Sequence, residues 1–283
     1  MVKRKNDTKY HEVLKQAAGY SYEKGNLAPE GYKVIKSVDN KDTGFHAEVL
    51  AKGNDVIVAY RGTDQLLGID GINDYAMARK NIPAQATDAI KVYDQVKQDY
   101  PNSEVTVTGH SLGGSLSQIV SSVRGCEAVT FNAYGTKDMF ENSANIKEEN
   151  IVNYVNEWDP ITMSNAENHV GETYAVKGEN MRNPHKLETM TDLESREYRT
   201  PENLKEHKNV LNRIENKAEH VTSKIKEKTD KIFEERKTHR TDNNSTKKSA
   251  GSCVGSYSVS GYTRSDGTKV GDYTRTCGAK HNN

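Results

Sequence analysis

The chain has 283 residues, and its 40 Lys plus Arg are balanced by 40 Asp plus Glu, so no global field selects nucleic acid as a partner. That length holds one large domain plus an appendage, and no apolar run reaches the length a bilayer demands, which excludes an integral membrane protein. Lys3, Arg4 and Lys5 have no apolar stretch behind them, so the expectation is a cytoplasmic protein or one exported without a recognisable signal peptide.

Residues 8–24 place Tyr10, Val13, Leu14, Ala17 and Ala18 at helical spacing, which predicts a first amphipathic helix. Gly31–Ile35 and Phe45–Ala51 read as strands joined by a turn over Asp39–Gly44, and Asp55–Tyr60 reads as a fully buried strand. Residues 84–100 carry a helical apolar stripe that Pro101 stops. Further strands are predicted at Glu104–Thr108, Ala128–Ala133, Ile151–Val155 and Thr173–Val176. Strands alternating with helix-length segments indicate an α/β fold with a mostly parallel sheet flanked by helices, whose ligands bind beyond the carboxyl ends of the strands.

Gly109-His110-Ser111-Leu112-Gly113 follows one strand and opens a helix, the G-x-S-x-G pattern of a nucleophile elbow. Such a turn strains the backbone at the serine, and glycine at 109 and 113 removes side chains that would collide there. The elbow presents the Ser111 hydroxyl at the sheet edge, with the Leu112 amide at a helix N-terminus aimed at a developing oxyanion. His110 is fixed on the same turn and reads as a packing residue.

Val58-Ala59-Tyr60-Arg61-Gly62-Thr63, the elbow, Thr130-Phe131-Asn132-Ala133 and Asp159-Pro160 occur in order, and together they resemble the class 3 lipases over roughly residues 30–190. The resemblance implies an α/β-hydrolase that cleaves carboxylic esters of glycerolipids, with Thr63 in the oxyanion hole, Ser111 as nucleophile and Asp159 as the acid. No motif of the family marks the histidine. A serine needs a histidine base, and in this fold the base follows the acid in the chain. His169 precedes the Thr173 strand and would enter from the wrong edge, whereas His185 follows it, so His185 is the expected base. His207 and His220 fall in a charged run and are expected to be solvated. Asp138 and Asp64 are the rival acids, but Asp159 stands directly at a strand end before a proline.

Between Thr63 and Pro83, Leu66, Leu67, Ile69, Ile72, Tyr75, Met77 and Ile82 are interleaved with charged residues; the resemblance implies a lid in this position, and the alternative is a short amphipathic helix packed on the sheet. After Thr191 the composition changes. The expected organisation is a catalytic domain at 1–191, a charged helical arm at 192–241, a linker at 242–252 and a small Gly/Tyr-rich β module at 253–283. An eleven-residue repeat (Tyr262–Lys269, then Tyr273–Lys280) suggests small hairpins. Cys253 and Cys277 form a candidate staple, with free thiols or a metal pair with His281 as the alternatives; Cys126 reads as a buried hydrophobe.

The leading reading is a serine ester hydrolase of lipase or phospholipase A type, with no cofactor and no catalytic metal, acting on a lipid or ester substrate at a membrane surface. Two alternatives stand beside it. One is a binding or scaffold protein that keeps the fold without chemistry. The other is an exported effector whose tail directs delivery or binds a protein partner.

Overall fold

The computed structural model describes residues 4–22, 27–63, 82–140, 146–178 and 183–213, with short pieces at 223–224, 226–227, 256–259, 262–263 and 268–276. Contacts divide the chain into Met1–Glu215 and Asn216–Asn283. The first unit is built on one eight-stranded sheet: β1 (Lys33–Asn40), β2 (Phe45–Lys52), β3 (Asp55–Tyr60), β4 (Glu104–His110), β5 (Glu127–Phe131), β6 (Ile151–Val155), β7 (Glu172–Ala175) and β8 (Glu197–Arg199). The strands lie side by side in chain order. β3 to β7 run parallel, while β1 and β2 at one edge and β8 at the other are antiparallel. This is the mostly parallel α/β sheet that the sequence predicts, and the architecture is α/β-hydrolase-like.

The alternation along β3 explains why both faces of the sheet are covered. Val56, Val58 and Tyr60 face α2 (Ile82–Asp99) and α3 (Leu112–Arg124), where Ala89, Val96, Leu116 and Val120 complete the core. Ile57 and Ala59 face the other way, with Phe131, Val152 and Tyr154, onto Leu14, Ala17 and Ala18 of α1 (Thr8–Tyr20). Strands buried on both faces read as continuous apolar runs, as these do. The helix α1 starts where Asp7 accepts the Tyr10 amide, as an N-cap should.

The body runs beyond the boundary expected at 191. Leu193 joins the α1-face core, and β8 pairs with β7. Leu204, in the helical residues 201–213, is buried with Val155, Met163, Ala166 and Ala175. Leu204, with Leu211 packed partly against the same cluster, therefore covers the sheet's last strands, while Val210 is exposed. His207 is half-buried, its ring edge-on to Trp158 at 5.7 Å, rather than solvated. Among the described residues no helix is long and apolar enough to cross a membrane.

In the second unit, β9 (Ser256–Val259) pairs with β12 (Tyr273–Thr276), and β10 (Tyr262–Thr263) with β11 (Lys269–Val270). Both pairs are antiparallel and form two separate two-stranded sheets, with Val259 opposite Tyr273 and Tyr262 opposite Val270. The expected lid at 64–81, the rival acid Asp64, His220, and Cys253 and Cys277 lie outside the described residues.

Candidate active site

The parallel strands end in register: Tyr60 lies opposite Gly109, His110 opposite Phe131, Phe131 opposite Tyr154, and Val155 opposite Ala175. The segments that follow them, at 61–63, 111, 132, 156–159 and beyond 176, therefore reach one edge. That edge holds the site.

Ser111 stands between β4 and α3 with φ 57° and ψ −126°, a conformation that costs a side-chain-bearing residue on the order of 1–3 kcal/mol. Packing holds it there. A Cβ on Gly109 would lie 2.3 Å from the Gly113 carbonyl carbon, and one on Gly113 only 2.0 Å from the Tyr60 carbonyl oxygen. The Ser111 amide donates to the Phe131 carbonyl at 3.0 Å, pinning the turn to the next strand.

Asp159, Ser111 and His185 are brought together. His185 Nε2 is 2.9 Å from Ser111 Oγ, and Nδ1 is 2.7 Å from Asp159 Oδ2. A carboxylate only accepts, so Nδ1 carries the proton and Nε2 is left to accept from the serine hydroxyl. Asp159 is wholly buried and caps α4 (Pro160–Met163). Burial works against its charge, but the His185 ring, the Thr162 hydroxyl at 2.6 Å and the Ile161 amide at 3.0 Å more than offset this and hold its pKa below the usual carboxylate value.

The loop bearing His185 is fastened through its backbone. The Asn132 amide donates to the Pro184 and His185 carbonyls at 3.1 Å each, and Asn156 donates to Pro184 at 3.1 Å. Asn132 itself has φ 45°, and its oxygen accepts the Asn156 amide at 2.8 Å. These two asparagines escaped the sequence reading of the site. Asn132 stands in one of the four motifs that carry the resemblance, and each of the two directly follows a strand, at the edge where the site forms.

The remaining sequence candidates fall as follows. Thr63 is half-buried just beyond β3, on a segment packed against the elbow, since a Cβ on Gly62 would come within 2.7 Å of the His110 carbonyl. Leu112 is the first residue of α3, where helix amides lack intrahelical partners. His169 is buried away from the serine, and its Nδ1 accepts from Gln118 at 2.9 Å. Asp138 accepts from the Asn165 side chain at 3.1 Å, while His185 is held by Asp159. His110 does more than pack: its Nε2 meets the His185 carbonyl at 2.7 Å.

Among known proteins, a "Putative lipase ATG15" from Pichia angusta is 50% identical over 46 residues, 16% of this chain and 9% of that protein. An extracellular phospholipase A1 from Serratia liquefaciens is 28% identical over 102 residues, 36% of this chain and 31% of its own. The chain thus spans a minor part of the curated relatives it matches. Among solved structures, the lipase from Rhizopus microsporus var. chinensis covers 68% of this chain and 85% of its own, at 17% identity and a TM-score of 0.47. The model of the phospholipase-like family described as the Tle-like phospholipase domain matches residues 7–209, which include every residue of the site above, and the chain belongs to that family.

Proposed function

We propose that the protein hydrolyses carboxylic esters of lipids, as a phospholipase A or lipase, through Ser111, His185 and Asp159. The observation that carries this reading is the unbroken chain from Ser111 Oγ to His185 to Asp159 on a serine held at positive φ. Ser111 Oγ attacks the acyl carbon while His185 Nε2 takes its proton. The oxygen that gains charge is met by the Leu112 amide and the Thr63 segment, and a donor in that position lowers the barrier by about 3–4 kcal/mol. His185 then returns the proton to the leaving alcohol, which leaves an acyl-enzyme, and water repeats the cycle with the acid released.

Asp159 holds the imidazole with its proton on Nδ1 and favours the imidazolium formed during attack. Family membership and the Serratia relative, a phospholipase A1 by name, support phospholipid as the substrate class. The test is a fluorophosphonate probe followed by phospholipid vesicles with analysis of the released acids. Labelling at Ser111 with fatty acid release is expected. A folded protein that neither labels nor releases acid would favour the scaffold reading instead.

A further inference from the structure

Tyr22 and His110 stand behind His185, outside the three residues that carry the chemistry. His110 Nε2 is 2.7 Å from the His185 carbonyl oxygen, and the Tyr22 hydroxyl is 2.8 Å from His110 Nδ1. A carbonyl only accepts, so the proton of the His110 ring belongs on Nε2. Nδ1 then carries the lone pair and accepts from Tyr22 O–H. The Tyr22 hydroxyl also lies 3.3 Å from the His110 carbonyl oxygen, but the shorter contact to Nδ1 orders the line from the tyrosine hydroxyl through the imidazole to the backbone of the base.

We propose that Tyr22 and His110 form a positioning relay that holds the His185 backbone, and through it the imidazole, in line with Ser111 Oγ. The inference rests on the ester-hydrolase reading above and adds two residues to it. Three observations carry it. The His185 carbonyl is held from two sides, by His110 and by the Asn132 amide at 3.1 Å, so its peptide plane is set by both donors. The His110 and His185 rings are 4.8 Å apart, so His110 also forms a wall of the base's site. The Tyr22 hydroxyl fits only because residue 62 is glycine: a Cβ there would lie 2.1 Å from it.

Burial, with the neighbouring His185 adding to it, lowers the His110 pKa to about 3, so the ring stays neutral at ordinary pH and its tautomer becomes the variable that matters. Without the Tyr22 proton the ring is free to carry its hydrogen on Nδ1. That tautomer would turn a lone pair toward the His185 carbonyl and repel it. The loop would then shift by a fraction of an ångström, while a displacement of 1 Å at a reacting group costs about 100-fold in rate.

The experiment compares Tyr22→Phe, His110→Leu and His110→Gln in the full chain, using p-nitrophenyl butyrate for kcat and KM and thermal melting for stability. Tyr22→Phe and His110→Leu are expected to lower kcat by about 10- to 100-fold with KM changed less than about twofold. His110→Gln, whose amide can still donate to the carbonyl, should recover much of the loss seen with leucine. Equal activity of the leucine and glutamine variants, or a wild-type kcat in Tyr22→Phe, overturns the relay.

A second measurement needs no substrate. In imidazole-nitrogen NMR, with signals assigned from His110→Gln and His185→Ala, His110 should be the Nε2–H tautomer, and Tyr22→Phe should shift both the His110 and His185 signals. Unchanged His185 signals overturn the relay. Coupled signals in a protein that turns over no ester leave the relay standing and remove the hydrolase reading instead.

Discussion

Lys208 Nζ lies 2.9 Å from the Glu167 carboxylate and 2.8 Å from the Ser164 carbonyl, joining the helical residues 201–213 to the segment just beyond α4. Asp159 caps α4, so the charged stretch that opens the tail braces the acid of the site from outside. Buried Leu204 contributes the apolar share of that brace. A chain ending at Glu215 or at Thr241 should therefore hydrolyse a short soluble ester at close to the full rate, while one ending at Thr191 should be insoluble or inactive. Leu204→Ala should cost about 2–5 kcal/mol in urea unfolding. A soluble, active chain ending at Thr191 would return the boundary to that position.

Ser111→Ala should abolish ester hydrolysis and probe labelling while leaving the melting temperature near that of the wild type, because the Cβ that fills the turn is kept. His185→Ala should be nearly as inactive, since loss of either member disables the unit. His169→Ala should keep most of its activity, because His169 bonds Gln118 and not the serine. Strong loss in His169→Ala, with a normal melting temperature, would contradict this assignment.

Asp159→Asn keeps the shape of the acid but turns an amide toward the His185 ring, so the proton moves from Nδ1 to Nε2. A drop in kcat on the order of 10,000-fold is expected. Thr162→Val removes one hydrogen bond from the carboxylate and should give a much smaller loss, read from the same assay. Equal losses in the two variants would mean that the carboxylate matters only as a packing element.

Stability should fall on the acid side before the carboxylates titrate. Burial lowers the pKa of His11 and His169 from 6.5 to about 4, and that of His110 to about 3. Below 6.5 the unfolded chain takes up protons that these native imidazoles refuse, so this contribution is complete above 6.5 and is lost as pH drops toward 4. Asp159 acts in the same direction lower down: its native value is depressed, so its share is present above 3.8 and lost as pH falls through the native value. The melting temperature should be flat near about pH 7 and decline steeply between 6.5 and 4, with a shallower decline in His169→Gln. A flat profile down to pH 4 would be the contrary result.

Cys126 is buried, and burial pushes its thiol up to about 12, so it should resist thiol reagents in the native protein. If Cys253 and Cys277 are joined, as we propose from the sequence, unfolding without reductant should release one reactive thiol. Three would rule the staple out.

The alternating elements were legible because strands buried on both faces leave apolar runs, as in Asp55–Tyr60, and because α2 keeps its stripe until Pro101. The elbow was legible because only glycine fits at 109 and 113. His185 could be reached by counting strand ends, since the parallel register carries every strand's exit to one edge. The roles of Asn132, Asn156 and Tyr22 left no such trace, although Asn132 lies in one of the motifs behind the resemblance: they act on backbone carbonyls or on another ring, and a bond to a carbonyl imposes no spacing on the chain. β8 was missed because three residues with exposed Glu197 and Tyr198 carry no periodicity. The stretch around Leu204 reads only as a charged arm because its neighbours are charged, although its own side chain meets the core.

The strand order has a consequence for synthesis on the ribosome. Because the eight strands pair in the order in which they are made, each new strand finds the free edge of a partner already exposed, and no gap has to be held open for a later arrival. Growth can then be nearly vectorial. Ser111 is in place early, but Asp159, His185 and the bracing residues up to 213 come last. A nascent chain that ended before His185 would hold a formed elbow without the imidazole beside it, and the arrangement would be complete only as the final edge closes.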